Sequence, residues 1–94
     1  MNAALSYIGT HQEEEMLALI HGCRDGKRAA QEKIYKMMYP KMMSMVKRYT
    51  NMYQYHIAEE ILNNGFLKVF QKIDSYKFEG SFEGWVRRII YHSI

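Results

Sequence analysis

Ninety-four residues suit one domain and are too few for two hydrophobic cores. A hydrophobic content of 48% excludes disorder as an overall description, and one proline with six glycines leaves few turns, which favours long helices over a many-stranded sheet. The net charge of +3 is unevenly spread: from Arg24 onward thirteen basic side chains face seven acidic ones, a balance of +6 that is compatible with a polyanionic partner without requiring one.

The lone Cys23 excludes an internal disulfide framework and fits a reducing cytoplasm. No apolar run approaches the roughly 20 residues needed to span a bilayer. The N-terminus, MNAALSYIGT, lacks the basic start and long apolar stretch of a signal peptide. A cytoplasmic protein without a membrane partner is therefore expected.

Residues 1–10 show no clear period and are expected to form a flexible N-terminus, with the helical domain covering residues 11–94. Thr10 followed by Glu13 has the form of a capping box, and acids in a first turn suit the helix dipole. Met16, Leu17 and Ile20 then give a first helix its buried stripe, which stops near Gly22 to Gly26. A second helix is predicted from about Lys27 to Asn51. Its apolar face is Ile34, Met38, Met42, Met45, Tyr49 and Met52, with Lys33, Lys36, Ser44 and Lys47 opposite. The methionines on this stripe read as core filling, not as metal ligands. Pro40 cannot donate to the helical ladder, so a kink or restart is expected there.

The third helix spans roughly Tyr55 to Ile73, with Ile57, Ile61, Leu62, Phe66, Val69, Phe70 and Ile73 on one side. Glu60, Asn63, Asn64 and Gln71 occupy the other side, and Leu67 sits among them. A leucine ringed by uncharged amides resembles a small protein-docking patch as well as an ordinary exposed residue. Asp74 to Gly80 reads as a loop, and Ser81 as the N-cap of a fourth helix with Glu83 in its first turn. At 100° per residue, Phe82, Val86, Ile89, Ile90 and Ser93 face inward. Gly84, Arg87, Arg88, Tyr91 and His92 face outward, with Trp85 on the boundary. No stop signal closes this helix before Ile94, so a longer protein is expected. The fold class that follows is all-α, a compact bundle of about four helices.

Covalent chemistry finds little support. His21 and Cys23 point in different directions with no second ligand pair at metal spacing, and Glu59 and Glu60 also diverge. There is no glycine-rich phosphate loop and no nucleophile elbow. Neither an enzyme, nor a metal, nor a cofactor is expected. Nucleic-acid contact is better supplied. Arg87 and Arg88 can bind phosphates, Lys72 and Lys77 add charge, and Tyr76, Phe78, Trp85 and Tyr91 offer stacking faces. A plainer account also fits, in which Trp85 and Phe82 anchor a core and the arginines keep one face soluble.

The segment AEEILNNGFLKVFQKIDSYKFEGSFEGWVRRI resembles region 2 of bacterial RNA polymerase sigma factors, specifically the extracytoplasmic-function (ECF) group of the sigma-70 superfamily. The upstream stretch GCRDGKRAAQEKIYKMMYPKMMSMVKRY is similar to that group's preceding helices, including the pair Tyr39 and Pro40. The resemblance covers about residues 13–94, and its most specific part is GFLKVF followed by the loop and GSFEGWVRRI. It implies that the third helix docks on the clamp helices of the largest polymerase subunit through Glu60, Asn63, Asn64, Leu67, Lys68 and Gln71. It also implies that Lys72, Tyr76, Lys77, Phe78, Glu79, Gly80 and Ser81, with Trp85, Arg87, Arg88, Tyr91 and His92, recognise and help open the non-template strand of the promoter −10 element. An anti-sigma factor is a further implied partner, and a monomer the implied state. Two positions depart from the family pattern: Asn63 and Asn64 stand where a Gln and an acid are usual, and His92 stands where an Asn is usual. The second sigma domain, which reads the −35 element, has no counterpart in these residues. An alternative from another class is a helical protein-interaction module or sigma-like regulator that never touches DNA.

Overall fold

The computed structural model describes residues 3–50 and 54–94. Four helices follow in chain order: α1 (Ala3–Arg24), α2 (Arg28–Thr50), α3 (Tyr55–Gln71) and α4 (Phe82–Tyr91), with a single 3-10 turn at Ile73–Ser75. No strand occurs among the described residues. α3 lies at the centre, packed against both α2 and α4, while α1 packs on α2 and reaches the 3-10 turn.

The first helix begins at Ala3, so Thr10 lies inside it and is not its cap. Ala3, Ala4 and Leu5 are strong helix formers, and their propensity carries the helix past the apparent capping signal at Thr10 and Glu13. The C-terminal end follows the expected glycines and is a Schellman closure. Gly26 adopts φ +75°, Lys27 N–H bonds Gly22 O at 2.9 Å, and Gly26 N–H bonds Cys23 O at 3.0 Å. From residue 13 onward Ile20, Gly22 and Cys23 are the buried residues of this helix, and Leu17 is exposed, against expectation. Positions 16, 20 and 23 share the face turned to α2, with Met16 partly buried there. Leu17, together with Met16 and Ile20, lines a cavity under the Tyr76–Ser81 loop. Burial pushes the Cys23 thiol pKa up, which makes it an inert core group.

α2 runs through Pro40 without a restart. One missing N–H is tolerated because Pro40 itself is exposed, while Met38, Met42, Met43, Met45 and Val46 around it are buried against the bundle. Tyr49, assigned to the buried stripe by spacing, is 59% exposed. Among the described residues its ring meets Tyr91 edge to face, with centroids 5.1 Å apart. Met52 lies outside the described residues.

The deepest core comprises Ile20, Ile34, Met42, Val46, Leu62, Phe66, Val69, Val86 and Ile90. Truncating a residue such as Phe66 to Ala in a core of this kind typically costs about 3–5 kcal/mol. Gly65 lets α3 and α4 approach closely: a Cβ there would lie 3.0 Å from Ile90 Cγ1 and 3.3 Å from its Cα. α4 begins as the sequence predicts. Ser81 Oγ accepts the Gly84 N–H at 3.0 Å, and Phe82, Val86 and Ile90 turn inward.

Candidate nucleic-acid interface and docking face

The loop after the 3-10 turn is shaped from within by Tyr76. Its ring is 5% exposed and sits 4.8 Å from Phe78, 5.2 Å from Phe82 and 5.3 Å from Trp85 (centroid distances). Its hydroxyl donates to Gly80 O at 2.8 Å and closes the loop across four residues. Tyr76 was expected to offer a stacking face. Both faces are covered, so it is the loop's internal support and not a platform. Phe78 adopts φ +61° and Gly80 φ +77°. A left-handed phenylalanine costs roughly 1–2 kcal/mol and persists only where its surroundings hold it.

Arg24, from the last turn of α1, supplies much of that hold. Its guanidinium donates to Tyr76 O at 2.5 Å and to Ile73 O at 3.3 Å, and its central carbon lies 5.0 Å from the Phe78 ring centroid. Asp74 stands 4.0 Å from Arg24 Nε. The His21 ring is 6.2 Å from Phe78. The loop is thus latched to α1 on one side and seated on α4 on the other.

Two cavities flank it. One of about 430 Å³ lies toward α1 and is walled by Met16, Leu17, Ile20, Tyr76 and Phe78, with Glu13 at its rim. The other, of about 270 Å³, lies toward α4 and is lined by Glu79, Gly80, Ser81, Gly84, Trp85 and Arg88. Trp85 is half-buried, its indole stacked on Phe82 at 5.7 Å with 24° between planes. Phe78, at 45% exposure, keeps part of its ring in solvent. Lys72, Lys77, Glu79, Gly80, Arg87, Arg88, Tyr91 and His92 are exposed. Ser81 is exposed too, although its hydroxyl is engaged as the helix cap.

Beyond α4 lies a groove of about 620 Å³ against α2. Lys41, Arg48 and Tyr49 come from α2, and Arg87, Arg88 and Tyr91 from α4. Lys41 pairs with Glu83 at 2.9 Å. Arg48, Arg87 and Arg88 make no ion pair among the described residues.

The outer side of α3 carries Glu60, Asn63, Asn64, Leu67, Lys68 and Gln71, all exposed, with Leu67 57% accessible. Tyr35 OH donates to Asn63 Oδ1 at 2.7 Å and fixes that amide against α2. Glu59 turns away from Glu60 and accepts the Tyr39 hydroxyl at 3.0 Å, while the Tyr55 hydroxyl lies 2.6 Å from that of Tyr39. Burial, followed by the hydrogen bonds to Tyr55 and Glu59, raises the Tyr39 pKa well above the usual phenol range. These bonds pin α2 to the start of α3 and hold the α3 face at a set angle.

A family model described as Sigma-70 region 2 matches residues 34–94, which take in most of α2 and all of α3, the loop and α4. The chain belongs to the sigma-70 region 2 family. Neither the curated proteins nor the solved structures include a match. Region 2 is a part of sigma factors that serves promoter recognition and polymerase binding, and it is not an enzyme family. No described helix is long and apolar enough to cross a membrane.

This region 2 domain brings only part of the expected residues together: Phe78 lines the cavity toward α1, Arg87, Tyr91 and His92 line the groove against α2, and Lys72 and Lys77 line none of the three cavities. Trp85, Glu79, Gly80, Ser81 and Arg88 meet around one cavity, whereas Glu60, Asn63, Leu67, Lys68 and Gln71 lie along a separate helix surface. Arg24, Lys41, Arg48 and Tyr49 join the loop and groove although the sequence pattern did not mark them as site residues. Arg24 carries no helical signal, and Tyr49 falls on the apolar stripe by spacing alone. A contact 52 residues apart, such as Arg24 to Tyr76, has no trace in local pattern.

Proposed function

We propose that this domain works in an ECF-type sigma factor, as a module of residues 11–94 that docks on core RNA polymerase and captures the opened non-template strand of the promoter −10 element. The observation that carries the reading is the latched loop. Tyr76 and Arg24 hold it beside a cavity walled by Trp85 and Arg88, with no side chain at Gly80 or Gly84 to fill it. A base drawn out of the duplex would lie against Trp85, and Arg88 would meet its phosphate. Unstacking a base costs a few kcal/mol, and stacking on an aromatic returns roughly 1–3 kcal/mol per base. A loop already in shape loses little entropy on binding. Capture would therefore tip a nearly balanced opening without any covalent step.

The docking partner would be the clamp helices of the largest polymerase subunit, with Leu67 as the apolar centre of a ring of amides and charges. The domain would act as a monomer in the cytoplasm, where core polymerase is found, and an anti-sigma factor would compete for these faces.

The test is binding of a labelled non-template −10 oligonucleotide to the chain with core polymerase present. Trp85→Ala combined with Arg88→Ala should weaken capture by at least tenfold and leave polymerase binding intact, while Leu67→Arg should do the reverse. Indifference of strand binding to the double change would refute the capture site, and full polymerase binding by Leu67→Arg would refute the docking face.

A further inference from the structure

We infer that the groove between α2 and α4 holds the phosphate backbone of the same single strand whose base enters the loop cavity, so that α2 is part of the nucleic-acid interface. This rests on the strand-capture reading above and extends it to residues of another helix.

Three observations converge. First, two packed helices ordinarily close against each other with apolar side chains. Here the space between them stays open at about 620 Å³, and its two walls carry cations, Arg48 and Lys41 from α2 and Arg87 and Arg88 from α4. Only Lys41 has an acidic partner, Glu83, at 2.9 Å. Arg48, Arg87 and Arg88 make no ion pair among the described residues, so the groove concentrates positive charge that a polyanion would neutralise.

Second, the groove is continuous with the loop cavity. Gly84 and Arg88 line both. A strand leaving the cavity crosses α4 at Gly84, where no side chain stands in its way. Its next phosphates come within reach of Arg87 and then Arg48.

Third, the groove ends in an aromatic post. Tyr49 and Tyr91 meet edge to face at 5.1 Å, and Tyr49 keeps 59% of its surface open. An exposed ring in that position offers a face to an unstacked base, which a duplex does not present. That favours a single strand as the occupant. It also accounts for an aromatic that helical spacing assigns to the core yet the fold leaves in solvent.

The experiment measures binding of a labelled single-stranded −10 oligonucleotide to the full chain with core polymerase, from 50 to 200 mM salt. Arg48→Gln and Tyr49→Ala are each made, both at exposed positions, with circular dichroism melts to confirm folding. Loss of one phosphate contact lowers the salt slope by about 0.7, so the parent's advantage over Arg48→Gln should shrink about 2.6-fold over this fourfold range of salt. Tyr49→Ala should weaken binding by about fivefold or more with an unchanged slope, because stacking releases no counterions. Shortening the oligonucleotide from the end that reaches α2 should erase both deficits. If both variants match the parent in slope and affinity while Trp85→Ala with Arg88→Ala loses binding, the groove is not on the path and the capture reading stands. If the parent fails to bind the strand at all, both are overturned.

Discussion

Arg24→Met is the most direct probe of how the recognition loop is held. The change keeps the aliphatic stem and removes the guanidinium, leaving the carbonyls of Tyr76 and Ile73 without their donor and Phe78 without its cation. Hydrogen bonds to a charged group contribute about 1.5–3 kcal/mol each, and a cation over an exposed ring about 0.5–1 kcal/mol. The 3.3 Å bond to Ile73 O is the weaker of the two, and the side chain is 23% exposed, so water recovers part of the loss. A net cost of about 2–3 kcal/mol follows, out of a stability of about 5–14 kcal/mol for a domain this size. The chain should stay folded while the loop opens locally. Amide exchange at Ser75 and Tyr76, whose N–H groups bond Lys72 O and Ile73 O, should accelerate by about 30- to 160-fold in consequence. Strand binding should weaken together with it, and the melting temperature should fall by less than a global loss of that size would require. Exchange rates and strand affinity within twofold of the parent would refute the latch.

Gly65→Val places a branched side chain where even a Cβ lies 3.0 Å from Ile90 Cγ1 and 3.3 Å from its Cα. The helices α3 and α4 must separate, at a cost of about 1–3 kcal/mol, read as a lower urea midpoint at unchanged slope. Tyr39 gives a pH signature. Its pKa is raised in the folded chain, so its stabilising contribution is complete below pH about 10, where the unfolded phenol ionises, and is lost as pH rises further toward the folded value. Tyr39→Phe should therefore lose less stability than the parent between pH 10 and 12 in urea titrations followed by circular dichroism. An identical alkaline limb in the two proteins would refute the assignment.

How much of this was legible before the structure differs by element. α3 and α4 were readable because each keeps a buried stripe distinct from an exposed side, so the 100° period survives, and because Ser81 signals its helix start chemically. The Asn63–Leu67–Gln71 surface was readable for the same reason in reverse. The start of α1 was not legible because Thr10 and Glu13 match a capping pattern, and that pattern masks the helix propensity of Ala3, Ala4 and Leu5 before it. Tyr49 and Leu17 were misplaced because period says which way a residue points and not whether a partner stands opposite. Tyr76 was assigned to the ligand because an aromatic in a polar loop looks available. Its burial depends on Phe82 and Trp85 folding back over it from the next helix. Arg24, Lys41 and Arg48 became visible only once distant helices were brought together.

The Schellman turn at Gly26 settles more than the end of a helix. By closing α1 at Arg24, it leaves that side chain projecting from the final turn, where it meets the 3-10 turn and the loop. The family match begins at Ile34, beyond this turn, so the boundary drawn by sequence similarity and the boundary of the mechanical unit do not coincide. A fragment cut at the former would retain every residue proposed to touch DNA and lose the side chain that sets the loop's shape. Its recognition surface would be complete in composition and slack in geometry. A piece that keeps the Arg24 latch begins within α1, ahead of its last turn.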